Sequence, residues 1–265
     1  MKNLKNKIMV VATAVAFLAL VSCSTNKQND HEFVVGTCAE FPPYEVLNDQ
    51  GQPVGFDIDV AQKIAAKLGK TLVIKDMSFD ALFVSLKQGK IDAIIAGLSI
   101  TKSRLAGMAL VHYHGKPLKS LPLLFWHKIP AGVTTVADLA KQPNKTVCTQ
   151  VGTIQEEIIS KYTYLDIKHL ENTSDLVMDI KHGKSIAAIA EPMVVDALQQ
   201  QMPEIKVMEL ALKEEEQGMG HGIGMSKNNQ QLVAAVEKAV SQLKADGTLA
   251  ALEHKWFVGG CHDSE

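Results

Sequence analysis

Arg104 closes the stretch Leu98-Ser-Ile-Thr-Lys-Ser-Arg104, three residues after Thr101 and five after Ser99. A planar guanidinium can bond both oxygens of a carboxylate, and hydroxyls and amides just before it can complete an anion site in the manner of a helix N-terminus. A cation at a helix start opposes the helix dipole, so the placement favours binding over mere surface solvation. Lysine, a point charge, is not an equivalent. His112-Tyr-His114 puts two imidazoles on one face of an extended segment, as two zinc ligands would sit, but no third ligand is adjacent and no metal site is expected. The four cysteines, Cys23, Cys38, Cys148 and Cys261, form no CxxC pair, so a thiol redox motif has no support either.

Such groups must be positioned by a fold, and 265 residues with 46% apolar content exclude a disordered tail, collagen or a disulfide scaffold. The length allows two lobes, each with its own core. The first 22 residues read as an export leader. Lys2, Lys5 and Lys7 precede thirteen mostly apolar residues, Ile8 to Leu20, fewer than the ~20 that span a bilayer. Leu20-Val-Ser-Cys23 resembles a bacterial lipobox, which implies cleavage before a lipidated Cys23, with residues 23–31 as a tether. Without the leader, 24 basic face 29 acidic side chains, a net charge of −5, which argues against nucleic acid as a partner. Three cysteines then remain, so at most one internal disulfide can form.

Strand-like runs alternate with helix-period segments, and the series occurs twice. Strands are expected at Phe33–Gly36, Leu72–Ile74 and Ile91–Ala96, with helices at Asp57–Leu68 and Asp80–Gln88. The second series has strands at Lys145–Thr149 and Ile186–Ala190 and helices at Ile154–Lys161, Asp175–Lys181 and Val194–Gln201; a last helix covers Gln230–Lys244. The expected architecture is α/β, two lobes of mostly parallel sheet flanked by helices. Lobe 1 takes residues 32–117 and 222–265, lobe 2 residues 118–221, with hinge crossings near 116–119 and at the glycines of 220–224.

From about His31 to Phe257 the chain resembles the amino-acid-binding proteins of bacterial ABC importers, the type II periplasmic-binding fold. The matching motifs come in order: Gly36-Thr37, Phe41-Pro-Pro-Tyr44, Gly55-Phe-Asp-Ile-Asp-Val60, Gly89-Lys-Ile-Asp-Ala93, Leu98-Ser-Ile-Thr101 with Arg104, and Gly152-Thr153. Tethered binders of basic amino acids are the most similar. The resemblance implies that two lobes close on one free amino acid. Arg104, with Gly97, Ser99 and Thr101, would take its carboxylate, and Gly152 and Thr153 would donate to the same carboxylate from the second lobe. Glu191, where the family has aspartate, would take the ammonium; its alternative role is to begin a helix before Pro192. Phe41 and Phe79 match aromatic clamps, which suit an alkyl cation. Relatives selective for basic amino acids often carry an aspartate where Cys38 stands. Glu40, two residues on and on the same side of an extended segment, either replaces that acid or is an exposed loop residue.

The expected ligand order is arginine, then lysine and ornithine, with glutamine or another neutral polar amino acid remaining open. The resemblance further implies a monomeric, lipid-anchored receptor in the periplasm or cell envelope, an ABC permease as partner, and no cofactor. Two other classes stay open: a dehydratase-like enzyme, with Arg104 on a substrate carboxylate and Glu191 as acid, and an adhesin or sensor module.

Overall fold

The computed structural model describes residues 31–258; the leader, Cys23 and Cys261 lie outside the described residues. The chain opens with β1 (Glu32–Thr37), whose side chains alternate between two buried faces: Phe33 and Val35 enter one core, Val34 the other. Short strands β2 (Glu40–Phe41), β3 (Glu45–Leu47) and β4 (Pro53–Val54) form a small antiparallel sheet. Helix α1 (Phe56–Leu68) buries Val60, Ala61, Ile64 and Ala65 along one stripe, and ends where Gly69 turns left-handed and Lys70 N–H reaches back to the Ala65 carbonyl. There follow β5 (Thr71–Asp76), α2 (Phe79–Lys87), β6 (Ala93–Ile94), α3 (Lys102–Gly107) and β7 (Ala109–Pro117).

The next set is β8 (Ser120–Trp126), β9 (Thr146–Gln150), α4 (Ile154–Ile159), β10 (Asp166–Leu170), α5 (Thr173–Lys181), β11 (Ala187–Ile189), α6 (Pro192–Gln201) and β12 (Ile205–Ala211). The chain then returns through β13 (Met219–Met225), α7 (Gln230–Ala245) and α8 (Thr248–Glu253). Pro192 opens α6 at the first helical turn, where its missing N–H costs nothing.

Two five-stranded sheets result, ordered β5-β1-β6-β13-β7 and β10-β9-β11-β8-β12. They share one plan. In each, three strands pair in parallel and the fourth in order runs against both its neighbours, so four strands point one way. The α/β expectation holds, with the sheets mixed rather than purely parallel. The reversed position is filled by β8 in the second sheet and by β13, the returning strand, in the first.

Between β7, which runs to Pro117, and β8, which starts at Ser120, lie Leu118 and Lys119, within the expected range 116–119. The glycines expected at a crossing, 220–224, lie within β13, which pairs with β7 from Met219 opposite Pro117 onward. Residues 212–218 connect β12 to β13. The two crossings bond each other, Leu118 N–H to the Gly218 carbonyl at 3.2 Å and Leu212 N–H to the Lys119 carbonyl at 2.9 Å.

Glycine serves β13 by letting another element press against it: a Cβ on Gly222 would lie 2.7 Å from Ile100 Cγ1. Replacing Gly222 by valine should overpack this contact and lower stability by about 1–3 kcal/mol. A urea midpoint equal to that of the parent protein would show that β13 does not pack as described.

Candidate ligand-binding site

In both sheets the parallel strands end on the same kind of edge, and the residues just past their carboxyl ends meet in one cavity, as open α/β sheets dictate. Past β1 come Cys38, Glu40 and Phe41; past β6, Ala96, Gly97 and Ser99; past β9, Thr153; past β11, Ala190 and Glu191. With Phe79, Arg104, Gln150, Gln155 and Glu45 they enclose about 70 Å³ of free space, room for several waters rather than one. Arg104, on α3, and Glu191, between β11 and α6, follow strands of different sheets and thus line the same cavity.

Arg104 is fixed from both sides. Its Nη1 donates to the Ser99 carbonyl at 2.7 Å, and its Nη2 donates across to the Gly152 carbonyl at 2.8 Å. The guanidinium also lies 5.7 Å from the Phe79 ring centroid and 5.5 Å from that of Phe83. Of its five N–H donors, three are left for an incoming group. Burial pulls its pKa down to about 10, against the pull of Glu157 and Glu191, so it remains a cation at neutral pH.

Glu191 accepts from Gln155 Nε2 through Oε2, and its Oε1 lies 3.9 Å from His221 Nε2. Phe41 stacks on Tyr44 with centroids 4.8 Å apart and presses against Gly97, where a Cβ would come 2.5 Å from the ring. Gly97 has φ +52°, a second reason for glycine there. Burial pushes the Cys38 thiol up to about 12, helped by Glu40, so it brings no charge to the cavity at neutral pH. Cys38 and Cys148 are free thiols.

Eight of the ten residues singled out in the sequence line this cavity: Arg104, Glu191, Ser99, Thr153, Phe41, Phe79, Glu40 and Gly97. Two do not. Thr101 caps α3, its hydroxyl accepting Arg104 N–H at 3.2 Å and meeting Ser103 Oγ at 2.8 Å. Gly152 borders the neighbouring groove; its N–H is taken by Glu156 Oε2 at 2.6 Å, so it supplies a carbonyl to Arg104 rather than an amide to a ligand. Thr153 uses its hydroxyl within its own turn, donating to the Gln150 carbonyl at 2.7 Å and accepting Glu156 N–H at 3.2 Å. Glu40 is exposed and ties the lobes, its Oε2 accepting Thr173 N–H at 3.1 Å. His114 pairs with Glu253 at 2.9 Å, while His112 Nε2 contacts the Gly115 carbonyl at 3.2 Å.

Sequence reasoning missed Glu45 and Gln155. Glu45 sits directly opposite Phe41 in the β2–β3 pair, and residues so paired share a face; a three-residue strand is too short for that alternation to be read. Gln155 follows Gly152-Thr153 at the helix start and is buried, a position that periodicity alone assigns to either face.

The model of the bacterial extracellular solute-binding proteins, family 3, matches residues 33–259. Over 254 residues the chain is 37% identical to a probable ABC transporter arginine-binding protein, ArtJ, of Chlamydia trachomatis, covering 92% of this chain and 96% of that one. Among solved structures, an ancestral arginine-binding protein bound to arginine superposes with a TM-score of 0.72 at 30% identity, covering 86% of this chain and 98% of that one. An ancestral arginine-binding protein bound to glutamine gives 0.73 at 29% identity, covering 87% and 99%. With two matching sheets, a cleft at their carboxyl edges and a family match over almost all described residues, this chain belongs to the bacterial extracellular solute-binding proteins, family 3.

Proposed function

We propose that the chain captures a free L-amino acid, arginine foremost, in the cell envelope and presents it to an ABC importer. The observation that carries this reading is the shared cavity of Arg104 and Glu191. A free amino acid offers one carboxylate and one ammonium, and the cleft offers one forked cation and one carboxylate, drawn from different lobes. The remaining guanidinium donors of Arg104 take the ligand carboxylate. Glu191 takes the ammonium, exchanging part of its contact with Gln155 or His221. Phe41 and Phe79 flank the side chain. A ligand drives closure only through contacts that it makes better in the closed state, and Glu191 on the far lobe supplies one. The bonded pair of crossings at residues 118–119 and 212–218 is the hinge of this movement. The family is one of solute-binding proteins, and Glu191 serves here as an ionic partner, with no substrate to protonate.

Arginine is favoured over neutral amino acids by the aromatic flanks and by three acids at the cavity, Glu40, Glu45 and Glu191. Arginine-binding proteins recur among the relatives, and one such structure holds glutamine, which keeps that amino acid in the test panel. Cys23, in its lipobox-like setting, anchors the receptor as a monomer to a membrane.

Arg104→Ala should weaken arginine binding by roughly 100- to 1,000-fold, the cost of about 3–4 kcal/mol for truncating one partner of a buried charge pair, and Arg104→Lys should not restore it. Calorimetry giving an unchanged affinity would remove Arg104 from the carboxylate site. In a melting-temperature panel of arginine, lysine, ornithine and glutamine, the true ligand should add ~2.7 kcal/mol at 100 times its Kd, with arginine adding most at equal concentration. A protein that answers to none of the four is not this receptor. Cys23→Ser should move the protein from the membrane fraction to the soluble one; continued membrane association would rule out the anchor.

A further inference from the structure

The segment Glu191-Pro192-Met193, which opens α6, touches side chains of the first sheet's half of the molecule twice. The Tyr44 hydroxyl donates to Met193 Sδ at 3.6 Å, and Glu191 Oε1 lies 3.9 Å from Nε2 of His221 on β13, within reach of an ion pair but longer than a hydrogen bond. The other carboxylate oxygen, Oε2, is already taken by Gln155. The backbone fixes the ring's place: His221 bridges Ser99, Gly222 N–H donates to the Leu98 carbonyl at 2.8 Å, and Ile100 N–H donates to the Gly220 carbonyl at 2.8 Å. His221 is 8% exposed. Its Nδ1 has no hydrogen-bond partner among the described residues and is backed by Gly115, where a Cβ would come 3.3 Å from it. A buried N–H without an acceptor is costly, so the neutral ring carries its single proton on Nε2, toward Glu191.

The other groups facing this ring come from every element around it. Tyr44, ahead of β3, stands edge-on to it with centroids 4.9 Å apart, and His114 of β7 lies parallel to it at 6.1 Å. Asp57 of α1 and His112 of β7 are within electrostatic reach. Asp57 already accepts the Tyr113 hydroxyl at 2.6 Å and Gly97 N–H at 2.7 Å. Behind the two histidines of β7, Glu253 of α8 pairs with His114 at 2.9 Å and Lys244 of α7 donates to the His112 carbonyl at 2.9 Å. The other neighbour of β13 in its sheet, β6, brings only Ala93 and Ile94. Arg104, Glu40 and Glu45 share the cavity with Glu191, and Arg104 is held by two carbonyls. Glu191 is thus the acid across the cleft toward which Nε2 points.

We propose that His221 makes capture dependent on pH by competing with the ligand for Glu191: the neutral imidazole leaves Oε1 to the ligand, and the imidazolium claims it. In acid a proton from solvent binds Nδ1, and the ring becomes a cation facing the carboxylate. That cation and the ligand's ammonium then seek one oxygen and repel each other across it. The Nδ1 proton finds no acceptor where it sits, so the negative charge of Glu191 is what holds it on the ring. A ligand ammonium that neutralises Glu191 removes this support, the Nδ1–H bond breaks and the proton returns to solvent. The proposal deepens the receptor reading and rests on it. Because His221 binds more protons in the free protein than in the complex, lowering the pH favours the free protein. Affinity falls by up to tenfold per pH unit through the span in which imidazoles titrate, and is level above it.

The test is calorimetry of the full chain with L-arginine from about pH 5 to 8, in buffers of low and high ionisation enthalpy. The expected result is an affinity that drops at least several-fold toward the acid end, with up to one proton released per arginine bound there and none at the alkaline end. His221→Gln keeps an N–H donor but cannot take up charge, so the ratio of its affinities at the two ends should fall close to one and the release should vanish. A level profile in the parent protein, an affinity that rises in acid, or a fall that His221→Gln leaves intact overturns the proposal. The last result would assign the titration to another group, such as His169 at 2.8 Å from Glu156. No arginine binding at any pH overturns the receptor reading and this proposal with it, whereas binding with any of the three results above overturns the proposal alone. Should His221→Gln fail to fold, proton release by the parent protein at the acid end decides, and its absence overturns the proposal.

Discussion

A cation taken out of water is costly unless other groups replace its hydration, and the whole cleft is organised around one such cation, Arg104. One carbonyl from each lobe and two aromatic faces hold it. These partners fix its position without cancelling its charge. A carboxylate arriving in the cavity would cancel it, and does so between two halves of the molecule that already share the guanidinium. In the proposed receptor, binding and closure would thus be coupled at a single side chain.

Much of this was legible beforehand, for a physical reason. The parallel strands β1, β6, β9 and β11 are buried on both faces, so they read as short apolar runs between helical segments, and ligands gather past the carboxyl ends of such strands. Cys38 to Phe41, Gly97 to Ser99, Thr153 and Glu191 all fall there. The antiparallel strands were harder. In β13 glycines alternate with His221, Ile223 and Met225, because Ile100 and Leu98 press on its bare backbone, and such a sequence imitates a flexible linker. In β8 the opening Ser120-Leu-Pro122 imitates a turn, yet Leu121, Leu123 and Phe125 fill the second core.

Within the site, residue type was easier to read than residue role. Thr101 and Gly152 lie beside cavity-lining positions and share their chemistry, but one caps a helix and the other offers its carbonyl. Glu40 sits at the rim, where it joins the lobes, whereas the acid buried against the wall is Glu45. Neither distinction can be drawn from spacing, because each depends on which strand lies opposite and on which donors a neighbouring helix has already committed.

The ribbon formed by the chain's two passages between lobes has one further effect. Leu118 and Leu212 stitch those passages together, so they must flex as a unit; sliding or twisting of one half past the other would tear the stitches, while folding about the ribbon's width would not. The proposed closure would thereby be confined to a single coordinate, like the cover of a book. A protein that touches both covers at once would sense whether the book is shut, and would need no view of the page inside.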